Sequence, residues 1–102
     1  MRYKKRYFLV ELDGVNSAEE FERQLYSTIN KVEPFLAIRS NFRIIKDFTK
    51  TGENKTYGVL AVNNEYKYRV IFSLSLISKF YKANLLTITN SGNIKKIKSF
   101  KF

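Results

Sequence analysis

The order of its hydrophobic patterns constrains the fold of this chain more than any other feature. Runs with the two-residue period of a strand alternate with runs that place apolar residues at helical spacing, and turn-forming residues separate them. The patterns indicate a strand at residues 7–12, a helix at 18–32, strands at 42–48 and 57–62, a helix at about 65–81 and a strand at 85–89. In the basic tail, residues 92–102, apolar residues again have helical spacing.

Strand, helix, strand, strand, helix, strand is the order of the ferredoxin-like fold, an α+β sandwich whose architecture RNA-recognition domains share. It has a four-stranded antiparallel sheet with two helices on one face. The chain has 102 residues, of which 44% are hydrophobic and 16% aromatic, which is enough to bury one core. We therefore predict a single domain over residues 1–102 with this β-α-β-β-α-β architecture.

Local signals predict where the first helix and the hairpin lie. Ser17 followed by Glu20 forms a capping box at the start of the first helix, and Pro34 is expected to end it. The polar stretch 49–56 contains Gly52 and predicts a hairpin loop between the second and third strands. Residues 35–41 carry no clear pattern.

One face of the predicted sheet carries no helix, yet it is apolar. Tyr7 and Leu9 of the first strand, with Leu85 of the last, are predicted to lie on it. Because an apolar face of this kind does not stay hydrated, we expect the tail or a partner protein to cover it. The second helix offers a rival docking surface beside its core stripe. The candidate protein-interface residues are Tyr7, Leu9, Ile71, Phe72 and Leu76.

The charge indicates a polyanionic partner. Lysine and arginine number 19 against 9 acidic residues, a net charge of +10, and no acidic residue follows Glu65. Two basic clusters flank the predicted fold, and the ferredoxin-like sheet brings the first and last strands close together, so the clusters could act jointly on the phosphates of a folded RNA. The candidate RNA-binding residues are Arg2, Lys4, Lys5, Arg6, Lys95, Lys96, Lys98 and Lys101.

The composition removes most enzyme chemistry. Because the chain has neither cysteine nor histidine, it cannot supply a thiolate nucleophile, an imidazole base or a standard zinc site. Glu19, Glu20 and Glu22 crowd the start of the first helix, where they complement its dipole. We predict no catalytic residue and no metal ligand in the chain. It has no signal-peptide pattern and no apolar run long enough to cross a bilayer, so we expect a soluble, cytoplasmic protein.

The signature of RNA-recognition domains is present only in part. Their third strand carries glycines and aromatic residues that stack on bases. Residues 55–62 supply Lys55, Tyr57 and Gly58 but have Thr56 where a glycine belongs, and on the first strand Phe8 is a loose match for a stacking ring. A generic binder of single-stranded RNA and a ribosome-associated structural protein remain alternatives.

Four segments carry a resemblance to a known family. Residues 5–7 open the first strand with Lys-Arg-Tyr, residues 57–60 read Tyr-Gly-Val-Leu, and residues 68–78 lie within the predicted second helix. Residues 91–98, Ser-Gly-Asn-Ile-Lys-Lys-Ile-Lys, are similar to a Ser-Gly-Thr-Ile-Lys tail, with Asn93 in the place of threonine. In their order and spacing these segments resemble the archaeal ribonuclease P protein component 2 family, which has a eukaryotic counterpart among the nuclear ribonuclease P and MRP proteins.

The resemblance implies a non-catalytic subunit of an RNA-based endonuclease that removes the 5′ leader of precursor tRNA. In that enzyme the protein would bind and stabilise the ribonuclease P RNA, and magnesium ions held by the RNA would cleave the substrate. The protein itself would need no cofactor. Its expected partners are the TIM-barrel-like protein component 3, the other ribonuclease P proteins and, indirectly, precursor tRNA. We also expect a homodimer within a hetero-oligomer, and we expect the protein not to bind a membrane.

Overall fold

The computed structural model describes residues 4–98, with only the backbone of Lys98. The strands are β1 (Lys5–Asp13), β2 (Arg43–Gly52), β3 (Lys55–Asn63) and β4 (Asn84–Ser91). The α-helices are α1 (Ala18–Val32), α2 (Leu36–Arg39), α3 (Lys67–Ser75) and α4 (Ile94–Lys98), and short 3-10 turns at Asn64–Tyr66 and Leu76–Lys79 flank α3. None of the helices within residues 4–98 has both the length and the apolar composition needed to cross a bilayer.

The four strands form one sheet in the order β2-β3-β1-β4, in which every neighbouring pair is antiparallel. This is the strand order of a ferredoxin-like sheet, so the predicted α+β class is confirmed. The central strand β1 pairs with β3 along its whole length and with β4 from Tyr7 to Asp13. The pairing with β4 shifts register between Leu9 and Val10, where a bulge interrupts the ladder.

The main core lies between the sheet and the helices. Apolar residues of β1 and β3 meet the buried stripe of α1, which consists of Phe21, Leu25 and Ile29, as its helical spacing predicts. The ring of Phe21 lies directly over Gly58, where a Cβ atom would stand 2.6 Å from two ring carbons. Glycine at this position therefore lets α1 approach the sheet closely.

The helix α4 packs against the centre of the opposite sheet face. Leu9, Val59 and Ile97 form a second buried cluster, and side chains of the outer strands pack around it. Ile97 of the tail therefore packs on Leu9. The prediction that Leu9 belongs to an open interface patch is wrong, because its side chain is buried. The placement of Leu85 is also wrong: it pairs with Leu12, which faces the helices, and therefore packs into the main core.

The ends of the elements correct three further predictions. Ser17 is the N-cap of α1, but its side chain makes no capping hydrogen bond, and the Glu20 carboxylate accepts hydrogen bonds from Arg23 and Gln24. The hairpin loop is shorter than residues 49–56, since β2 and β3 continue to the turn beside Asn54. The second helix breaks into α3 and its 3-10 flanks. The end of α1 before Pro34 is confirmed.

Candidate nucleic-acid interface

The strand pairing brings the two basic clusters to one corner of the domain. Tyr7 near the start of β1 pairs with Ser91 at the end of β4, and α4 follows directly after that end. Lys5 and Arg6 precede this pair on one strand, while Lys95 and Lys96 follow it on the neighbouring chain segment. The beginning and the end of the chain thus carry positive charge to the same place.

The corner is concave. A pocket of about 480 Å³ opens between the start of β1, the end of β4 and α4. Arg6 and Lys96 bring positive charge to it, Ile97 closes one side, and the other walls are the uncharged residues 89–93. Within residues 4–98, no carboxylate lines this pocket, so its electrostatic character is positive.

The guanidinium of Arg6 is held in a fixed orientation. Its Nε and Nη2 atoms both donate hydrogen bonds to Oδ1 of Asn90, at 3.1 and 2.5 Å. The Nη1 atom is turned toward Gly92, where it lies 3.5 Å from the position that a Cβ atom would occupy. Because a guanidinium carries five donors in a planar fork, bonds to Asn90 leave donor capacity on its other edge.

Asn93 fixes the turn from β4 into α4. Its side-chain Oδ1 accepts a hydrogen bond from the backbone nitrogen of Lys95 at 2.9 Å, and its own backbone nitrogen donates to Oγ of Ser91 at 3.0 Å. Asparagine and threonine are both N-capping residues, so Asn93 can do here what a threonine at this position would do. The turn in this way sets where Lys95 and Lys96 lie.

The other predicted RNA-binding residues are distributed as follows. Lys4, Lys5, Lys95 and Lys96 are exposed, and Arg6 is half-buried. Arg2 and Lys101 lie outside the described residues, as does the side chain of Lys98. Sequence reasoning did not select the polar pocket residues Asn90, Ser91, Gly92 and Asn93 as part of the site. Their signal was a run of small and amide residues directly before a basic segment, typical of a turn that can approach a ligand closely.

Several carboxylates are engaged in ion pairs elsewhere on the domain. The pairs are Glu20 with Arg23, Glu22 with Lys46 at 3.9 Å, Glu11 with Lys55 at 3.7 Å and Glu33 with Arg69. Three of these carboxylates lie on α1 or at its C-cap, and the fourth, Glu11, lies near the C-terminal end of β1. They neutralise four basic side chains on other surfaces, whereas within residues 4–98 no carboxylate lines the pocket at the corner.

The sheet does not offer the exposed aromatic pair of an RNA-recognition domain. Phe8 is only 6% exposed and belongs to the core under the helices, so it cannot stack on a base. Tyr57 lies on the other face, where a hydrogen bond to the Glu11 carboxylate raises the pKa of the Tyr57 hydroxyl. The two candidate rings therefore lie on opposite faces of the sheet and cannot form one stacking platform. Stacking on the sheet is consequently disfavoured.

The remaining candidate interface residues differ in exposure. Tyr7, Ile71 and Leu76 are half-buried, whereas Phe72 on α3 is 65% exposed. Tyr68 is 79% exposed and lies one helical turn before Phe72, so these two rings form an apolar row that the sequence analysis did not single out. Exposed rings at that spacing mark the side of α3 that faces away from the core.

No family model matches the chain, and no curated protein matches it. In the described part of the chain, no three carboxylates lie close enough together to hold a metal ion.

Proposed function

We propose that this protein is a non-catalytic RNA-binding subunit of ribonuclease P, the ribonucleoprotein that removes the 5′ leader of precursor tRNA. The observation that carries the RNA-binding part is the meeting of basic residues from both ends of the chain at one concave corner. The resemblance of the four sequence segments supplies the identity of the enzyme. By this proposal the protein acts in the cytoplasm.

A folded RNA is the polyanion that suits the corner best. The positive charge of the corner comes from two short segments of the protein that the fold holds beside one pocket. Such an arrangement binds phosphates whose positions are set by RNA structure, because contacts to the backbone read shape and not sequence. Binding of single-stranded RNA relies on aromatic rings that stack on its bases. Of the two candidate rings, Phe8 and Tyr57, the first is buried in the core.

The protein's contribution would be electrostatic. Lys4, Lys5, Arg6, Lys95 and Lys96 would neutralise phosphates that crowd together when the catalytic RNA folds, which lowers the amount of magnesium needed for the active fold. The RNA and its magnesium ions would carry out the cleavage. Protein component 3 would dock elsewhere, and the exposed row of Tyr68 and Phe72 is the surface we assign to it.

Reconstitution of precursor-tRNA cleavage tests the proposal. With ribonuclease P RNA, protein component 3 and the other protein subunits present, adding this chain should allow cleavage at a lower magnesium concentration. If the RNA recovered with the protein from cells is ribosomal, or if the chain changes neither cleavage nor its magnesium dependence, the proposed assignment is wrong. Recovery of mixed unpaired RNA would instead support the generic single-strand binder.

A charge-removal variant tests the corner itself. Replacing Arg6, Lys95 and Lys96 together with alanine should weaken binding to the RNA and lower the slope of log affinity against log salt by up to about three units, roughly one for each phosphate that the variant no longer neutralises. The measurement is a salt titration of the dissociation constant.

The matched control removes the same charge elsewhere. Alanine at Lys46, Lys79 and Lys82, which are exposed residues on β2 and after α3, lowers the net charge equally. We expect the salt slope of this control to change by less than about one unit, since long-range charge alone is screened beyond roughly 10 Å. Equal slopes for the two triple variants would move the RNA-binding surface away from the corner.

A further inference from the structure

Within the corner, Arg6 differs from the lysines around it. Lys4, Lys5, Lys95 and Lys96 are exposed side chains, whereas Arg6 is half-buried and both Nε and Nη2 are bonded to Asn90. A cation whose orientation is already fixed loses little rotamer freedom when it binds, and partial burial reduces screening by salt. Arg6 is therefore suited to one defined anion, while the exposed lysines that do not line the pocket suit a diffuse ionic atmosphere.

Gly92 shows where that anion would approach. Its backbone does not have the left-handed conformation that requires glycine, since among the glycines described only Gly14 has a positive φ angle. Space for a side chain also exists, because a Cβ atom would meet nothing closer than Nη1 of Arg6 at 3.5 Å. Neither backbone conformation nor lack of space therefore requires glycine at position 92. The absence of a Cβ atom there leaves the Nη1 edge of the Arg6 guanidinium open to a ligand.

Resting on the proposed function, we propose that the pocket binds a single phosphate group of the RNA between Arg6 and Lys96. The Nη1 edge of Arg6 donates to the phosphate oxygens over Gly92, and the Lys96 ammonium approaches from α4. Asn90 is a positioning residue, because it contacts the guanidinium and sets its plane. A pocket of about 480 Å³ also has room for the sugar attached to the phosphate.

The shared chemistry is a phosphate ester, which an RNA offers either as an internal phosphodiester or as a terminal monoester. Two probes separate these sources: a dinucleotide with one phosphodiester, and a nucleoside 5′-monophosphate. Titration of either into the isotope-labelled full chain should shift the NMR signals of the Arg6 Nε–H group and the Gly92 amide. A response to the dinucleotide assigns the pocket to an internal phosphate, and a response to the monophosphate alone assigns it to a chain end. No response to either probe overturns the inference.

Gly92→Ala is the decisive variant. A methyl group there should cover the Nη1 edge, abolish the probe response and weaken binding to the full RNA about tenfold, the loss expected for one charge-assisted hydrogen bond. The salt slope should fall by about one unit. Gly52→Ala is the matched control, because that glycine is exposed and its nearest neighbour to a Cβ atom is 3.8 Å away.

Arg6→Lys and Asn90→Ala separate geometry from charge. Both keep the positive charge but lose the oriented fork, so each should weaken RNA binding several-fold while the thermal midpoint stays near that of the wild type. If Gly92→Ala binds RNA like the wild type while removal of Arg6, Lys95 and Lys96 still weakens binding, the single-phosphate pocket is wrong and the RNA-binding function stands. If the wild-type chain binds no RNA, the proposed function fails first.

Discussion

Replacing Leu9 with aspartate is expected to unfold the domain and not merely to disturb a contact surface. Leu9 is fully buried in the cluster with Val59 and Ile97. Burial of a carboxylate without a partner costs several kcal/mol, a large share of the roughly 5–15 kcal/mol that stabilises a small domain. Chemical denaturation followed by circular dichroism should show a loss of at least about 3 kcal/mol, or no folded baseline at all.

Leu86→Asp is the control on the same sheet face. Leu86 lies on the neighbouring strand β4, opposite Glu11, and is 57% exposed. We expect it to cost less than about 1 kcal/mol, with repulsion from Glu11 accounting for part of the loss. A Leu9→Asp variant with wild-type stability would mean that α4 does not cover this face in solution. Tests of the protein interface should accordingly use the exposed residue Phe72.

The layer structure could be predicted because each signal for it is local. The two-residue alternation at residues 7–12 already separates Phe8 from Leu9, and the structure places them on opposite faces. The helical spacing of Phe21, Leu25 and Ile29 likewise identifies the stripe of α1 that is buried. A pattern that depends only on neighbours within one element survives folding unchanged.

The misplaced residues depend on information that no single element carries. Which face Leu85 occupies is set by its pairing with Leu12 across a ladder that a bulge shifts, and one strand's sequence does not encode a register. The capping box failed for a local reason, because within α1 the Glu20 carboxylate bonds to Arg23 and Gln24. Phe35 has a left-handed φ of 71°, which is rare for a bulky residue, so α2 could not be predicted from propensity.

In the candidate site, too, some features could be predicted from the sequence and others depend on the fold. Net charge and its concentration at the two ends can be counted from the sequence, and they predicted a basic surface. The pocket depends on uncharged residues, Asn90 and Gly92, whose roles appear only once β1 lies beside β4. Asn90 orients the Arg6 guanidinium and Gly92 leaves its Nη1 edge open. Neither role can be inferred from the residue type alone.

The coupling between the covered face and the basic corner leads to the second large prediction. α4 has five residues, far fewer than a helix needs to be stable in water by itself. Its position must therefore come from packing, and Ile97, which is 2% exposed, is its buried side chain in the cluster with Leu9 and Val59. Lys96 precedes Ile97 directly, so the site depends on a hydrophobic contact that carries no charge.

Ile97→Ala should consequently release α4 from the sheet. Removal of a buried isoleucine side chain typically costs about 2–5 kcal/mol, and we expect the lower end because the main core remains intact. RNA affinity should fall to about that of a Lys95→Ala, Lys96→Ala double variant, even though every positive charge is retained. The measurements are the RNA dissociation constant and hydrogen exchange of the amides of Leu9 and Val59, which should lose protection.

Ile38→Ala makes the same chemical change at a residue that is 78% exposed on α2, and it should alter neither quantity. If Ile97→Ala lowers stability but leaves RNA affinity unchanged, α4 is only a cover for the sheet, and its lysines bind RNA without a fixed position. A drop in RNA affinity equal to that of the Lys95→Ala, Lys96→Ala double variant would mean that the packing of Ile97 holds these lysines in position. Hydrophobic burial on one sheet face would then determine how tightly the corner holds its RNA.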